Sequence, residues 1–314
     1  MANPHSERRN EKAVIRAEKL CKNFGETKAV QNLDLEVGEG ELYGVVGPDG
    51  AGKTTTMRML AGILEPTSGQ AWIHGVSVRE DPEGIKDHIA YMPQRFGLYQ
   101  DLTVIENLIF YADLFGVPTK DRASRLDQLF GFSRLGPFKD RLAGALSGGM
   151  KQKLGLACAL IHSPKVLLLD EPTNGVDPVS RRDFWKILYD LLNQGITILV
   201  STAYLDEAER TTRVGLMHHG SIIQQGQPQR LKALVEGVMM ELVPSDMARA
   251  RALLSDMPDL LDVNVFGDAL HIRLKEEGHA EAVRARLVSA GLEVRSMKRV
   301  APAMEDVFLS LIPK

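Results

Sequence analysis

The chain is poor in cysteine and has no long apolar segment. Its two cysteines, Cys21 and Cys158, fit no spacing of a metal site or a disulfide framework, so we expect two buried thiols in a reducing compartment. The apolar runs are far shorter than the ~20 residues that a membrane-spanning helix needs. Residues 1–12 contain no apolar core of a secretory signal. The sequence therefore predicts a soluble, cytosolic protein that reaches any membrane only through a partner.

An excess of charge of one sign is also missing. The 314 residues include 38 lysines and arginines against 41 aspartates and glutamates, a net charge of −3. Proteins that bind nucleic acid over a broad surface carry a positive patch, so we expect no nucleic-acid partner. What the chain does have is 44% hydrophobic residues, which is ordinary for a protein with a full core, and a length that allows one large or two modest domains.

Apolar patterns along the chain predict an α/β fold. Strand patterns occur at 14–20, 29–37, 41–47, 166–169 and 196–200. The first two partly alternate, as half-buried antiparallel strands do, and the others are more continuously apolar, as buried strands are. The segment 53–64 has helical spacing directly after a glycine loop, and helical patterns over 102–131 interrupt the α/β pattern. These patterns indicate a separate helical subdomain, at about residues 99–159.

The pattern changes again beyond about residue 237, to strand, helix, two strands, helix and strand. This βαββαβ order predicts a small α+β module of the ferredoxin-like type. We therefore expect three parts. They are a disordered tail over 1–13, a large α/β domain over 14–236 and an accessory module over 237–314.

The glycine loop after the strand at 41–47 has the composition of a phosphate-binding loop. Such a loop wraps a polyphosphate with backbone N–H groups and needs glycine where a Cβ would clash or φ is positive. We expect Lys53 to reach the β- and γ-phosphates, the Thr54 hydroxyl to ligate Mg²⁺ and Thr55 to bind the α-phosphate. The loop residues expected to bind nucleotide are Gly47, Asp49, Gly50, Ala51, Gly52, Lys53, Thr54 and Thr55.

An acidic pair, Asp170 and Glu171, ends the apolar run at 166–169. A carboxylate at the end of a buried strand is costly unless a cation or hydrogen bonds compensate it. A Mg²⁺ ion, bound through water, supplies such a cation. We therefore place Asp170 with Thr54 in a predicted metal site.

A Leu-Ser-Gly-Gly turn at 146–149 precedes this acidic pair and opens a further predicted helix. Such a turn presents bare N–H groups and one hydroxyl to an anion. A P-loop, an LSGG turn and an acidic strand end in this order resemble the ATP-binding subunits of ABC transporters, strongly over about residues 15–235. The resemblance implies a RecA-like P-loop ATPase core with an antiparallel β subdomain and a helical subdomain.

The resemblance also implies roles for single residues. Glu171 would orient the attacking water beside Lys53. Gln94 would join Mg²⁺ and the γ-phosphate to the surface that meets a membrane domain, and Phe24 would stack on adenine. Ser147, with the two glycines that follow it, would bind the γ-phosphate held by the opposite subunit, because two ATPase domains sandwich two nucleotides. The turn residues concerned are Ser147, Gly148 and Gly149.

Asp177 matches the family segment that crosses the dimer interface, and it equally fits the N-cap of a helix that begins at Pro178. Asp49 replaces the family's more common asparagine. Ala203 stands where the family's switch segment has a histidine that contacts the γ-phosphate. Losing one such donor costs ~10²–10³ in rate. Ser201 and Thr202 are the neighbouring residues that could offer a substitute hydroxyl.

The segment 302–309 resembles the tail of ATPase subunits of drug- and nodulation-factor-type exporters. We therefore expect an ATP- and Mg²⁺-dependent ATPase subunit of an exporter, at the cytoplasmic face of the cell membrane. Its expected partners are a separate transmembrane permease and a second ATPase subunit, in a homodimer or a heterodimer. Two alternatives stay open: a catalytically weak regulatory subunit of a heteromer, motivated by Ala203, and an ABC ATPase that does not serve transport.

Overall fold

The structure, a computed structural model, describes residues 13–312. These residues divide into two compact units, one through Gly226 and one from Gln227. Of the predicted tail over 1–13, only Ala13 is described, and it begins the first strand; the rest lies outside the described residues. No helix within residues 13–312 is both long enough and apolar enough to cross a membrane.

The strands of the unit through Gly226 form two sheets. They are β1 (Ala13–Phe24), β2 (Thr27–Gly38), β3 (Leu42–Val46), β4 (Ser68–Ile73), β5 (Val76–Ser77), β6 (Ile89–Met92), β7 (Val166–Asp170), β8 (Thr197–Thr202), β9 (Arg213–His218) and β10 (Ser221–Gly226). One sheet is antiparallel, with the order β2-β1-β4-β5. The other has the order β10-β9-β3-β8-β7-β6, in which only β10 runs antiparallel to its neighbour.

The α-helices described in this unit are α1 (Lys53–Leu60), α2 (Val104–Leu114), α3 (Thr119–Ser133), α4 (Gly148–Leu160), α5 (Pro178–Asn193) and α6 (Leu205–Ala208). Three of them, α2, α4 and α5, begin at a side-chain N-cap. Thr103 and Glu106 form a reciprocal capping box at the start of α2. Asp177 caps α5 by accepting from two backbone N–H groups, with Pro178 at the first helical position. The helices α2 and α3 lie where the sequence predicts a helical subdomain.

The parallel sheet is buried on both faces. Along β7, Val166 and Leu168 pack into one apolar cluster, and Leu167 and Leu169 pack into another on the opposite face. This arrangement explains why the strand is apolar throughout instead of alternating. Cys158 is buried in one of these clusters, whereas Cys21, expected to be buried, is half-buried on β1, where it contacts Asn32.

Three strands of this sheet, β3, β6 and β7, end at or next to the polar motifs identified in the sequence. The glycine loop follows β3, Gln94 lies two residues after β6, and Asp170 is the last residue of β7. Because parallel strands have their carboxyl ends at the same edge of a sheet, these residues lie close together. β8 pairs between β3 and β7, and its register sets Ser201 beside Asp170.

The unit from Gln227 contains one antiparallel sheet, with the strand order β12-β13-β11-β14. Its elements are α7 (Pro228–Lys232), β11 (Val238–Pro244), α8 (Met247–Leu254), β12 (Leu260–Phe266), β13 (Ala269–Leu274), α9 (Ala280–Ser289), β14 (Val294–Arg299) and α10 (Met304–Leu311). From β11 to β14 the order is strand, helix, two strands, helix and strand, as the sequence predicts.

A buried histidine–aspartate pair ties the last helix of this unit to its sheet. Alternate residues of β13, such as Leu270 and Ile272, enter the apolar core, and His271 lies between them. The His271 Nδ1 atom lies 3.0 Å from both carboxylate oxygens of Asp306 on α10. The Asp306 carboxylate also accepts from the Ala303 N–H at 2.8 Å. Both side chains of the pair are buried.

Replacing Asp306 by alanine should destabilise the unit from Gln227. The change leaves a buried imidazole and a backbone N–H without their acceptor, so we expect the free energy of unfolding to fall by about 2–4 kcal/mol. Far-UV circular dichroism during urea unfolding measures this change. Glu277→Ala, which removes only an exposed ion pair with Arg299, serves as the control. Equal unfolding midpoints for the two variants would contradict the assigned role of the buried pair.

Candidate functional site

Polar side chains from three strand ends and one helix start form a partly buried group, which we call the strand-end cluster. Its members come from the starts and ends of elements that are distant in sequence. They are Lys53, Thr54, Tyr91, Gln94, Asp170, Glu171 and Ser201.

The glycine loop beside the cluster has a shape that only glycine permits at two positions. A Cβ at Gly47 would lie 2.1 Å from the Met217 carbonyl oxygen, and one at Gly52 would lie 2.5 Å from the Ala29 carbonyl oxygen. Gly52 also has a φ of 107°, in the left-handed region. Gly50, with a φ of 78°, has open space where a Cβ would lie, so its conformation and not crowding favours glycine there.

The other loop residues have different exposures. Asp49 is exposed, Ala51 is buried, and Thr55 is half-buried in the first turn of α1. The Ala51 carbonyl accepts from the Gly220 N–H at 2.9 Å, which braces the loop against the turn between β9 and β10. α1 has no side-chain N-cap, so N–H groups of its first turn remain available to an anion.

Lys53 is 4% exposed, and its ammonium group is fully partnered. The Nζ atom donates to the carbonyls of Gly47 at 2.8 Å and Pro48 at 3.0 Å. It also lies 3.0 Å from the Glu171 carboxylate. A buried ammonium without such partners would be strongly unfavourable, so these contacts fix where the lysine lies.

Asp170 accepts hydrogen bonds from three hydroxyl groups. Its Oδ1 atom accepts from Thr54 at 3.0 Å and from Ser201 at 2.8 Å, and its Oδ2 atom accepts from Tyr91 at 3.3 Å. Burial, with the Asp170 charge as a further contribution, raises the pKa of Tyr91 to about 12. Thr54 and Asp170, the two residues predicted to form a metal site with Gln94, therefore lie in direct contact.

Glu171 has an unusual backbone that its neighbours hold in place. Its φ of 48° lies in the left-handed region, which costs a non-glycine residue about 1–3 kcal/mol. Its N–H donates to the Ser201 carbonyl at 3.1 Å and to the Ser201 hydroxyl at 3.0 Å. Its Oε2 atom accepts from Gln94 at 3.1 Å and from Asn174 at 3.3 Å. Glu171 is thus fixed at both its backbone and its carboxylate.

Gln94 therefore reaches the cluster through Glu171, and its described hydrogen bond is to that residue and not to Thr54 or Asp170. Tyr91 and Asn174 are cluster contacts that sequence reasoning missed. Neither residue type is diagnostic at its position. Asn174 follows Glu171 by three residues, and Tyr91 becomes a neighbour of Asp170 only because β6 pairs with β7.

The LSGG turn and Phe24 are not joined to the cluster. Ser147 caps α4 by accepting from the Met150 N–H at 3.3 Å, and Gly149 packs against Ser180 of α5 so closely that a Cβ would lie 2.5 Å away. Among residues 13–312, no hydrogen bond or ion pair is described between this turn and Lys53. Phe24 is 50% exposed, with the Lys22 ammonium 5.3 Å from its ring centroid.

Ala203 is exposed directly after the end of β8. The hydroxyl groups of the last two residues of β8 have different partners. Ser201 donates to Asp170, whereas Thr202 donates to Glu207 at 2.8 Å. Of the two residues named as sources of a substitute hydroxyl, only Ser201 is directed into the strand-end cluster.

Comparisons with known proteins agree with this geometry. Residues 30–174 match the family model described as ABC transporter, and residues 226–312 match that of the DrrA1-3-like ATP-binding protein C-terminal domain. The chain is 44% identical to the probable multidrug ABC transporter ATP-binding protein YbhF of Escherichia coli strain K12, over 96% of the chain and 52% of YbhF. It therefore spans about half the length of that relative.

Two further relatives are matched over most of their length. The daunorubicin/doxorubicin resistance ATP-binding protein DrrA of Streptomyces peucetius is 36% identical, over 95% of the chain and 92% of DrrA. The structure of cbiO1 from Clostridium perfringens, part of the ABC transporter complex cbiONQ, aligns with a TM-score of 0.65 at 26% identity. That alignment covers 79% of the chain and 97% of cbiO1.

A glycine loop after a buried parallel strand, with a lysine and a threonine at the start of the next helix, defines the class of P-loop nucleotide triphosphatases. The matched relatives define the family more narrowly. The chain belongs to the ATP-binding proteins of ABC transporters, and its relatives YbhF and DrrA carry names of the drug-exporter type.

Proposed function

We propose that the chain binds Mg·ATP at the strand-end cluster and hydrolyses it to energise export through a separate transmembrane permease. The observation that carries this proposal is the contact of Lys53 with Glu171 beside the Thr54–Asp170 pair. It sets a phosphate-binding lysine, a candidate base and a candidate metal site next to one another. The alternative of an ABC ATPase without a transport role has no comparable support, because the family matches are to transporter subunits.

The residues present fit a nucleotide phosphate and a Mg²⁺ ion. The first-turn N–H groups of α1 are uncapped, and Lys53 supplies a positive charge at the same point. Thr54 and Asp170 offer a hydroxyl and a carboxylate, the oxygen donors that Mg²⁺ prefers. When bound, Mg²⁺ would neutralise charge on the phosphates. Glu171, held by Gln94 and Asn174, would orient the attacking water and accept its proton.

The remaining predicted residues are proposed to act outside the cluster. Phe24, half-exposed, would stack on adenine. The LSGG turn, which does not contact its own cluster, would bind the γ-phosphate held by a second ATPase subunit. Asp177 would lie at the same subunit interface while it caps α5. Gln94 would also contribute to the metal site once the nucleotide is bound.

The proposed setting is the cytoplasmic face of the cell membrane, where the permease would hold two such subunits. We propose an ATPase domain over 14–236 with its helical subdomain at about 99–159, and an accessory module over 237–314. The compact units of the structure divide ten residues earlier, between Gly226 and Gln227, so that α7 belongs to the second unit. The strand order β12-β13-β11-β14, with a helix in each of two crossovers, supports a ferredoxin-like type for that module.

We further propose that the chain's own site hydrolyses ATP slowly, because Ala203 offers no donor to the γ-phosphate. Ser201 supports this view, since its hydroxyl is already engaged by Asp170 and by the Glu171 N–H. The second candidate function follows from the same residue: a regulatory subunit that binds ATP and completes the site of an active partner in a heteromer. A homodimer of slow sites is the competing arrangement.

Replacing Lys53 by alanine should abolish detectable ATP binding, because it removes the buried ammonium group that lies at the glycine loop and beside Glu171. Isothermal titration calorimetry with Mg·ATP measures the effect. Lys186→Ala, which removes an exposed lysine paired with Asp183, is the control and should bind as the unaltered chain does. Circular dichroism establishes that the variant is folded. Unchanged affinity in folded Lys53→Ala protein would refute the assignment of the P-loop.

Introducing histidine at position 203 should raise ATP turnover, by up to ~10²-fold, because it restores one donor to the transition state. Steady-state phosphate release by the purified chain measures this increase. Ala203→Phe, which adds a ring of similar size without a donor, is the matched control. Turnover in the unaltered chain equal to that of Ala203→His would show that the native site is not impaired.

A further inference from the structure

Glu207 is a fully buried carboxylate that lies outside the strand-end cluster. It is 0% exposed, on the short helix α6 just after Ala203. Charged side chains are almost never fully buried unless they are paired. The partners of Glu207 therefore show how its buried charge is compensated.

Three hydrogen-bond donors from three different elements meet on Glu207. Its Oε1 atom accepts from the Thr173 hydroxyl at 2.8 Å and from the Trp185 indole N–H at 3.0 Å. Its Oε2 atom accepts from the Thr202 hydroxyl at 2.8 Å. The Arg181 guanidinium adds a positive charge, with its Nε atom 3.6 Å from Oε1.

The two residues beside Ala203 are both fixed by this group. Thr202 donates to Glu207 and also accepts from the Tyr204 N–H at 3.0 Å. The Arg181 guanidinium lies 4.0 Å from the centre of the Tyr204 ring. The exposed residue 203 therefore sits between two anchored neighbours.

Glu207 also holds the loop that follows β7. Thr173 lies two residues after Glu171, whose N–H is bound by Ser201. Two parallel ties therefore join the segments, one from Glu171 to Ser201 and one from Thr173 through Glu207 to Thr202. A displacement of either segment would be transmitted to the other.

We propose that Glu207 is a positioning residue for Glu171: its carboxylate clamps the loop 171–177 to the end of β8, so that the two segments move as one body. The inference rests on the proposed function, because it assigns the clamp to the residue that would orient water. Glu171 then depends on a carboxylate that lies outside the strand-end cluster.

Hydrogen exchange of the full chain with Glu207→Gln, without nucleotide, tests the clamp directly. The Asn174, Val176 and Tyr204 amides are hydrogen-bonded and report on the two segments. We expect exchange over 172–177 and over 203–206 to accelerate together, by about tenfold or more, the effect of weakening a hydrogen bond to a charged group. Asp190→Asn, the same chemical change on an exposed side chain of α5 outside both segments, should leave both segments unchanged.

A second variant distinguishes loss of the clamp from a general loss of folding. Thr202→Val removes one donor and leaves Thr173 and Trp185 on the carboxylate. We expect it to accelerate exchange over 172–177 as well as over 203–206. Acceleration confined to 203–206 in either variant would overturn the clamp.

ATP turnover and affinity separate the positioning role from a purely structural one. Glu207→Gln should lower turnover by about tenfold and leave the ATP dissociation constant within about twofold. Unchanged turnover in a variant with altered exchange would overturn the positioning role. If the unaltered chain binds no ATP, the proposed function fails, and the exchange measurement still decides whether the two segments are joined.

Discussion

The ion pair between Lys53 and Glu171 is the contact on which the geometry of the site depends. Both side chains are nearly excluded from solvent and lie 3.0 Å apart at the edge of an apolar sheet. A charge buried there without a partner would cost several kcal/mol, so the pair determines which groups must surround it. The P-loop carbonyls complete the partners of Lys53, and the amides of Gln94 and Asn174 complete those of Glu171.

Asp170 is arranged differently from Glu171, although the two are adjacent. Three hydroxyl donors compensate Asp170, and Lys53 is directed to Glu171 instead. A carboxylate held only by neutral donors retains its attraction for a cation, which suits a metal site next to a phosphate-binding loop. The register of β7 and β8 produces this division, because it sets Ser201 against the junction of the two acidic residues.

The sequence predicts the parts of the site that depend on local spacing. The P-loop and Asp170 follow from residue types at fixed distances along the chain, and the βαββαβ order follows from the apolar pattern. The role of Glu171 comes from the family resemblance. Tyr91 and Glu207 could not be predicted, because their partners become neighbours only when strands and helices distant in sequence pack together. The LSGG turn is predicted to serve a site on another subunit, and within residues 13–312 it has no described hydrogen bond to Lys53.

The central claim is that the strand-end cluster holds a Mg²⁺-bound nucleotide, and the Mg²⁺ dependence of ATP binding tests it most directly. Calorimetric titration with ATP, in Mg²⁺ and in EDTA, compares the unaltered chain with Asp170→Asn. We expect Mg²⁺ to strengthen ATP binding by the unaltered chain and to have no such effect on the variant, which retains Lys53 and the P-loop. The same Mg²⁺ dependence in both proteins would contradict the account.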